Sequence, residues 1–161
     1  MIFVTTGTHY LPFDRLLKIT DFLIKNNEKR EKVVIQSGSS KIIVSGAEII
    51  PYLSYQQTID YISRARIVIT SAGPATIFQV LIFGKSLPLV VPRMKKYGEH
   101  VSDHQVFFAK YLKEKKLCKL IFFKEDLLFA CKAKTEKAKK LVLSSSVLLI
   151  KKLKKHINEK F

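Results

Sequence analysis

Residues able to hold an anion or move a proton gather in four stretches: TTGTH (5–9), TSAGPAT (70–76), GKS (84–86) and PRMKKYGEHVSDHQ (92–105). A turn of Gly, Ser and Thr leaves backbone amides and hydroxyls open, and a helix starting just after it adds free N–H groups that favour a phosphate. TSAGPAT has that context. It follows the apolar run RIVIT and precedes ATIFQVLIFG, whose spacing is helical. Gly73 lets the backbone approach a ligand, and Pro74 suits a first helical turn. TTGTH, with Gly7 and Thr8, can bring a second set of amides and hydroxyls to the same edge. Either stretch alone also reads as a plain strand–helix turn. Two of them facing one crevice point to a phosphate-bearing ligand.

GKS looks like the end of a P-loop, but Gln79 stands where that motif needs its first glycine. The order is also reversed, with a helix before it and a strand after. Gly84 is expected to end a helix, and Lys85 to complement its dipole. In the long stretch, Arg93, Lys95 and Lys96 could face a diphosphate, with Asp103, His104 and Gln105 at a helix start beside it. A solvated basic loop is the other reading. His100 and His104 are four apart without an evident third ligand, so no metal site is expected. His9, Glu99 and His100 are candidates for a catalytic base by position only.

The elements that must hold these residues alternate. Short β-branched or apolar runs (1–5, 32–36, 66–70, 87–92 and 117–123) read as strands. Between them, 13–25, 55–65, 75–84 and 102–116 have helical spacing, with Ser102 or Asp103 as the last N-cap. The stretch 41–54 is ambiguous between a short strand and a loop. Continuous apolar strands alternating with helices predict an α/β fold, a doubly wound parallel sheet in one Rossmann-like domain over 1–161. Ligands of such sheets sit beyond the carboxyl ends of the strands, where all the loops above would lie. Residues 132–161 are Lys-rich with helical spacing. They read as a basic helical extension of the same domain, packing on it or lying on an anionic membrane.

The chain has 161 residues and carries 29 Lys and Arg against 13 Asp and Glu, a net charge of +16. That field favours an anionic partner: a phosphorylated substrate, a membrane face or nucleic acid. Two cysteines, Cys118 and Cys131, form no disulfide framework and no CxxC pattern, which suits a reducing compartment. No apolar run reaches a membrane span and no secretory signal is evident, so a cytoplasmic, soluble or peripheral protein is expected.

MIFVTTGTHYLPFDRLL, RIVITSAGPATIFQVLIFGKSLPLVVPR and KKYGEHVSDHQVFFAKYL, in this order, resemble the C-terminal-type domain of glycosyltransferase family 28, the nucleotide-sugar half of a GT-B enzyme. The likeness is to the short stand-alone versions. These are catalytic subunits of two-component capsule and exopolysaccharide glycosyltransferases, similar to the catalytic subunit of dolichol-linked chitobiose synthesis. It spans nearly all of residues 1–130, and YGEHVxDHQ is its most specific part.

The resemblance implies an inverting transfer from a UDP-sugar, without metal or other cofactor. It places the diphosphate at Ser71, Gly73, Pro74, Ala75 and Thr76, helped by Gly7 and Thr8. Gln79 stands where the family has a ribose-binding Glu, and His104 and Gln105 match its His-Gln pair near the donor. Arg93 joins this substrate-binding set. The family's acceptor half is a separate membrane-anchored partner, and the acceptor is a lipid-diphosphate-linked sugar at the cytoplasmic face of the plasma or inner membrane. A nucleic-acid partner is not expected. The transferred sugar stays open among galactose (a β-1,4 linkage is one candidate), glucose, glucuronate and N-acetylglucosamine.

Three departures from the family pattern stand out: Thr70-Ser71 for Ser-His, Ala75 for the second glycine of Gly-Pro-Gly-Thr, and Gln79 for Glu. They keep open an alternative, a non-catalytic donor-binding or regulatory subunit.

Overall fold

A computed structural model describes residues 1–26, 31–133 and 136. The inner strands form where β-branched and apolar residues cluster: β1 (Ile2–Thr5), β2 (Val33–Gln36), β4 (Ile67–Thr70) and β5 (Leu89–Val90), while the two edge strands, β3 (Ala47–Ile50) and β6 (Lys119–Leu120), each include a charged residue. All pair in parallel, in the order β3-β2-β1-β4-β5-β6. The ambiguous stretch 41–54 thus supplies an edge strand. The expected strands at 87–92 and 117–123 shorten to two residues each. Pro88 and Pro92 flank β5 and have no N–H for a ladder.

Between the strands lie α1 (Asp14–Asn26), α2 (Tyr55–Arg64), α3 (Pro74–Phe83) and α4 (His104–Glu114), and α5 (Lys124–Lys132) follows β6. Alternate strand residues face opposite layers. Ile2, Val4, Val33, Ile35, Ile67 and Ile69 pack with Leu16, Leu17 and Leu23 of α1 and Leu127 of α5. Phe3, Val34 and Val68 pack with Ile62 of α2 and Val80 of α3. A third cluster joins Ile77 and Leu81 of α3 to Ala109 and Leu112 of α4 over Val90. Both faces of the inner strands are covered, which is why those strands read as apolar runs.

Helix ends follow local chemistry, with two differences from expectation. Ser54 and Gln57 form a reciprocal capping box at the start of α2 (Gln57 N–H to Ser54 Oγ, 3.2 Å; Ser54 N–H to Gln57 Oε1, 2.8 Å). Asp103 does precede α4, but its carboxylate caps nothing there and instead accepts the Lys95 N–H at 2.8 Å. Gly84 ends α3 at φ −75°, not in the left-handed conformation. Its glycine is needed for space, because a Cβ there would lie 2.5 Å from the Val80 carbonyl oxygen. Lys85 reaches the Arg64 carbonyl of α2 at 3.1 Å, and the Ser86 hydroxyl donates to the Arg66 carbonyl. GKS is a closed structural corner.

In this strand order the connections reverse between β1 and β4, whose last residues Thr5 and Thr70 lie side by side. That switch point is where open parallel sheets leave a crevice.

Candidate active site

The loop after β1 and the loop after β4 leave the sheet at the switch point and diverge around a cavity of about 300 Å³. It is lined by Thr6, Gly7, Thr8, His9, Ser71, Gly73, Pro74, Ala75, Thr76, Arg93 and Gln105. The size is at the lower end of the range for small-ligand sites. A second cavity, of about 240 Å³, adjoins it and shares Gly7, Thr8, Ala75 and Thr76. Its other walls are Thr5, Gln36, Leu53, Tyr55, Thr58 and Gln79. The sequence-predicted residues therefore divide. Ser71, Gly73, Pro74, Arg93 and Gln105 belong to the first cavity, Gln79 to the second, and Gly7, Thr8, Ala75 and Thr76 to the boundary.

Local backbone chemistry explains the openness. Gly7 has φ +78°, which non-glycine residues rarely adopt. Its carbonyl is held by the Gln36 Nε2 at 3.2 Å, and Gln36 also donates to the Pro51 carbonyl at 2.9 Å. Gly73 precedes α3 at φ −71°, and a Cβ there would meet only Ser71 Oγ at 3.7 Å. The protein itself would tolerate a side chain at Gly73, so its absence keeps the cavity clear. No side chain caps α3. Among the described residues, the Ala75 and Thr76 N–H groups have no protein acceptor, and Pro74 has no N–H. Together with the positive end of the helix dipole, these make an anion site.

Gln105 is buried, and its Oε1 accepts two backbone N–H groups, Ala72 and Arg93, each at 3.1 Å. It holds the loop after β4 to the loop after β5. Arg93 is only 1% exposed. Its guanidinium donates to the carbonyls of Thr6 (2.9 Å), Leu11 (2.8 Å), Pro12 (3.4 Å) and Glu99 (3.0 Å), and lies over the Phe13 ring. Burial lowers its pKa to about 10, against the pull of Glu99, so it remains a cation at neutral pH. Arg93 lines the first cavity and is at the same time a buried charge that ties two loops together. Lys95 and Lys96, in a short 3-10 turn (Lys95–Tyr97), do not line the cavity.

Glu99 is not placed to act as a base. It is 3% exposed, and both carboxylate oxygens engage Arg15 at 2.8 Å, with the Met94 N–H at 3.0 Å. Arg15 itself sits between the Phe13 and Tyr97 rings. Glu99 borders a separate depression with Asp14 and Lys18.

His9, the candidate that does line the first cavity, stacks on Tyr10 and lies 4.5 Å from the His100 ring, which meets the His104 ring edge-on at 4.4 Å. The pKa of His9 is lowered by burial, then by Arg93 and His104; that of His100 is lowered by burial, then by His104, His9 and Arg93. His104 is at the rim, its Nδ1 2.8 Å from Ser102 Oγ, and does not line the cavity. Among the described residues no group of His, Cys, Asp or Glu has the arrangement to hold a metal ion. Cys118 and Cys131 are both buried away from this edge, and burial pushes the thiols up to about 11 and about 12.

Gln36, at the end of β2, stands where the strand-end rule looks for ligand residues. Sequence reasoning missed Leu53, Tyr55 and Thr58, which follow β3 and would have been found by the same rule had β3 been assigned.

A doubly wound parallel sheet with an uncapped helix start at its switch point defines a Rossmann-like class of α/β domain. The family model for the glycosyltransferase family 28 C-terminal domain matches residues 1–159, and the chain belongs to that family. Among solved structures, the crystal structure of MurG from Acinetobacter baumannii is similar, with a TM-score of 0.55 and 20% identity over 80% of this chain. The alignment covers 39% of the MurG chain, so this protein matches well under half of that one. The fold is that of one GT-B half. Comparison with curated protein sequences finds no match. Among the described residues, no helix is long and apolar enough to cross a membrane.

Proposed function

We propose that this chain is the donor-binding half of a glycosyltransferase that uses a UDP-sugar. The observation that carries it is the pair of adjoining cavities. The first offers a diphosphate the amides of Ala75 and Thr76 and the turn around Gly7. The second offers a ribose the Gln79 amide and the Thr58 hydroxyl, with Leu53 and Tyr55 beside the base. As the glycosidic phosphate departs, those fixed N–H groups and the buried Arg93 charge favour the growing negative charge without a metal. Glu99 is consumed by Arg15 and is not available as the base that deprotonates the acceptor. This fits a base supplied by a separate acceptor-binding partner, anchored in the membrane and presenting a lipid-diphosphate-linked sugar for a surface polysaccharide. The +16 charge suits such a surface.

A second reading, a donor-binding subunit without catalytic function, is favoured by one observation. The Ala75 methyl stands on the wall between the two cavities, where the family has glycine. Co-expression with a candidate membrane partner, followed by UDP release from UDP-sugars in the presence of lipid-linked acceptor, tests the first reading. Turnover supports it. UDP binding without turnover favours the second, and no UDP binding by calorimetry overturns both.

A further inference from the structure

The hydrogen bonds of the histidine cluster determine which ring nitrogen carries the proton. The Leu11 N–H donates to His9 Nδ1 at 3.2 Å, and the Ser102 N–H donates to His100 Nδ1 at 3.3 Å. A nitrogen that accepts has no proton, so each neutral ring carries its hydrogen on Nε2, on the far side from the backbone. Protonating either ring would set a second hydrogen against a backbone N–H and remove that bond. The surroundings act in the same direction. His9 is faced by Tyr10, His100, His104 and the Arg93 guanidinium. His100 is faced by His9, His104 and Arg93. The nearby carboxylates are engaged elsewhere, Glu99 with Arg15 and Asp103 with the Lys95 amide. No carboxylate contacts either imidazole among the described residues, so nothing favours the cationic form until a ligand arrives.

We propose that His9 is a neutral Nε2–H donor to an anionic oxygen of the ligand in the first cavity, that His100 positions it, and that neither histidine is the base of the transfer. This rests on reading that cavity as the diphosphate site and deepens it. A base must present a bare nitrogen to its substrate, and the only bare nitrogen on each ring is already covered by the backbone. A neutral donor serves a diphosphate in another way. It adds a directed hydrogen bond without the full attraction of a cation, so the nucleotide product can leave.

The test is long-range ¹H–¹⁵N NMR of the histidine rings in the full chain near neutral pH, first with inorganic pyrophosphate and then with UDP. The expected result is a proton on Nε2 of both His9 and His100, retained at saturation, with the His9 Nε2–H signal moving as pyrophosphate binds. A proton on Nδ1 in the free protein, or an imidazolium at saturation, overturns the proposal. In parallel, His9→Gln, whose amide can still donate, is expected to keep most of the pyrophosphate affinity, whereas His9→Ala loses roughly tenfold. Equal losses overturn it. A His9 shift with pyrophosphate but no UDP binding keeps this proposal and sinks the nucleotide reading. UDP binding that leaves His9 unmoved does the reverse, and binding of neither sinks both.

Discussion

The two edges of the sheet hold the same kinds of residue and use them oppositely. At the amino edge, Gly84, Lys85, Ser86, Arg66 and Glu31 are all engaged with the protein. Gly84 admits the Val80 carbonyl, Lys85 and Ser86 donate to carbonyls, and Arg66 grips Glu31 with two nitrogens. At the carboxyl edge, Gly73, Ser71 and the start of α3 keep donors and space open. The difference teaches that a Gly/Ser/Lys turn signifies a ligand site only where the protein leaves its polar groups without protein partners.

Arg93 bridges the two behaviours, since it lines the ligand cavity and also donates to four carbonyls. It should show the largest effect. Arg93→Met removes donors from four carbonyls and is expected to cost about 3 kcal/mol, read by urea unfolding; stability equal to the parent protein would mean the loops hold without it. The glycines come next and should separate the edges. Gly84→Ala forces a Cβ onto the Val80 carbonyl and should lose about 1–3 kcal/mol, with UDP affinity unchanged. Gly73→Ala should do the opposite. It is expected to leave stability within roughly 0.5 kcal/mol, because the gain from a less flexible unfolded chain is offset by replacing a favoured N-cap glycine of α3, while calorimetry shows weaker UDP binding. Matching effects at both positions would erase the distinction between the edges.

Gln79→Glu sharpens the site alone. A charged acceptor for ribose hydroxyls should tighten UDP binding by roughly fivefold, and tighter binding without turnover would favour the non-catalytic reading. The smallest effect belongs to the amino edge. Hydrogen bonding to Arg66 lowers the Glu31 pKa from 4.5 to about 2, against desolvation. Its folded-state pKa is depressed, so the stability it contributes is present above about 4.5 and is lost as pH falls towards 2. Thermal melts across that window should show the parent protein losing more stability than Glu31→Gln.

Much of this was legible in the sequence because it depends on local pattern. The unbroken apolar runs marked a covered parallel sheet, and Gly73-Pro74 after Thr70 marked a helix start at a strand end. The partners of long-range groups were not legible. Nothing near Glu99 in the chain announces Arg15, and nothing near Arg93 announces the carbonyls of Thr6 and Leu11, because those pairings exist only once β1 and β5 flank β4. The strand β3 was obscured by exposed edge positions such as Glu48, which break an apolar pattern. Residues 134–135 and 137–161, where the basic extension was expected, lie outside the described residues.

The Gln105 amide carries one further consequence. Its carbonyl end is fixed by two donors from different loops, so the group cannot flip. What it has left to offer the cavity is its NH₂. An anion arriving there meets a donor already oriented, and little rearrangement is required at the moment of binding. The polarity of that wall is therefore dictated by the backbone beneath it, and a Glu at 105 would keep both loops tied while turning an attractive surface into a repulsive one.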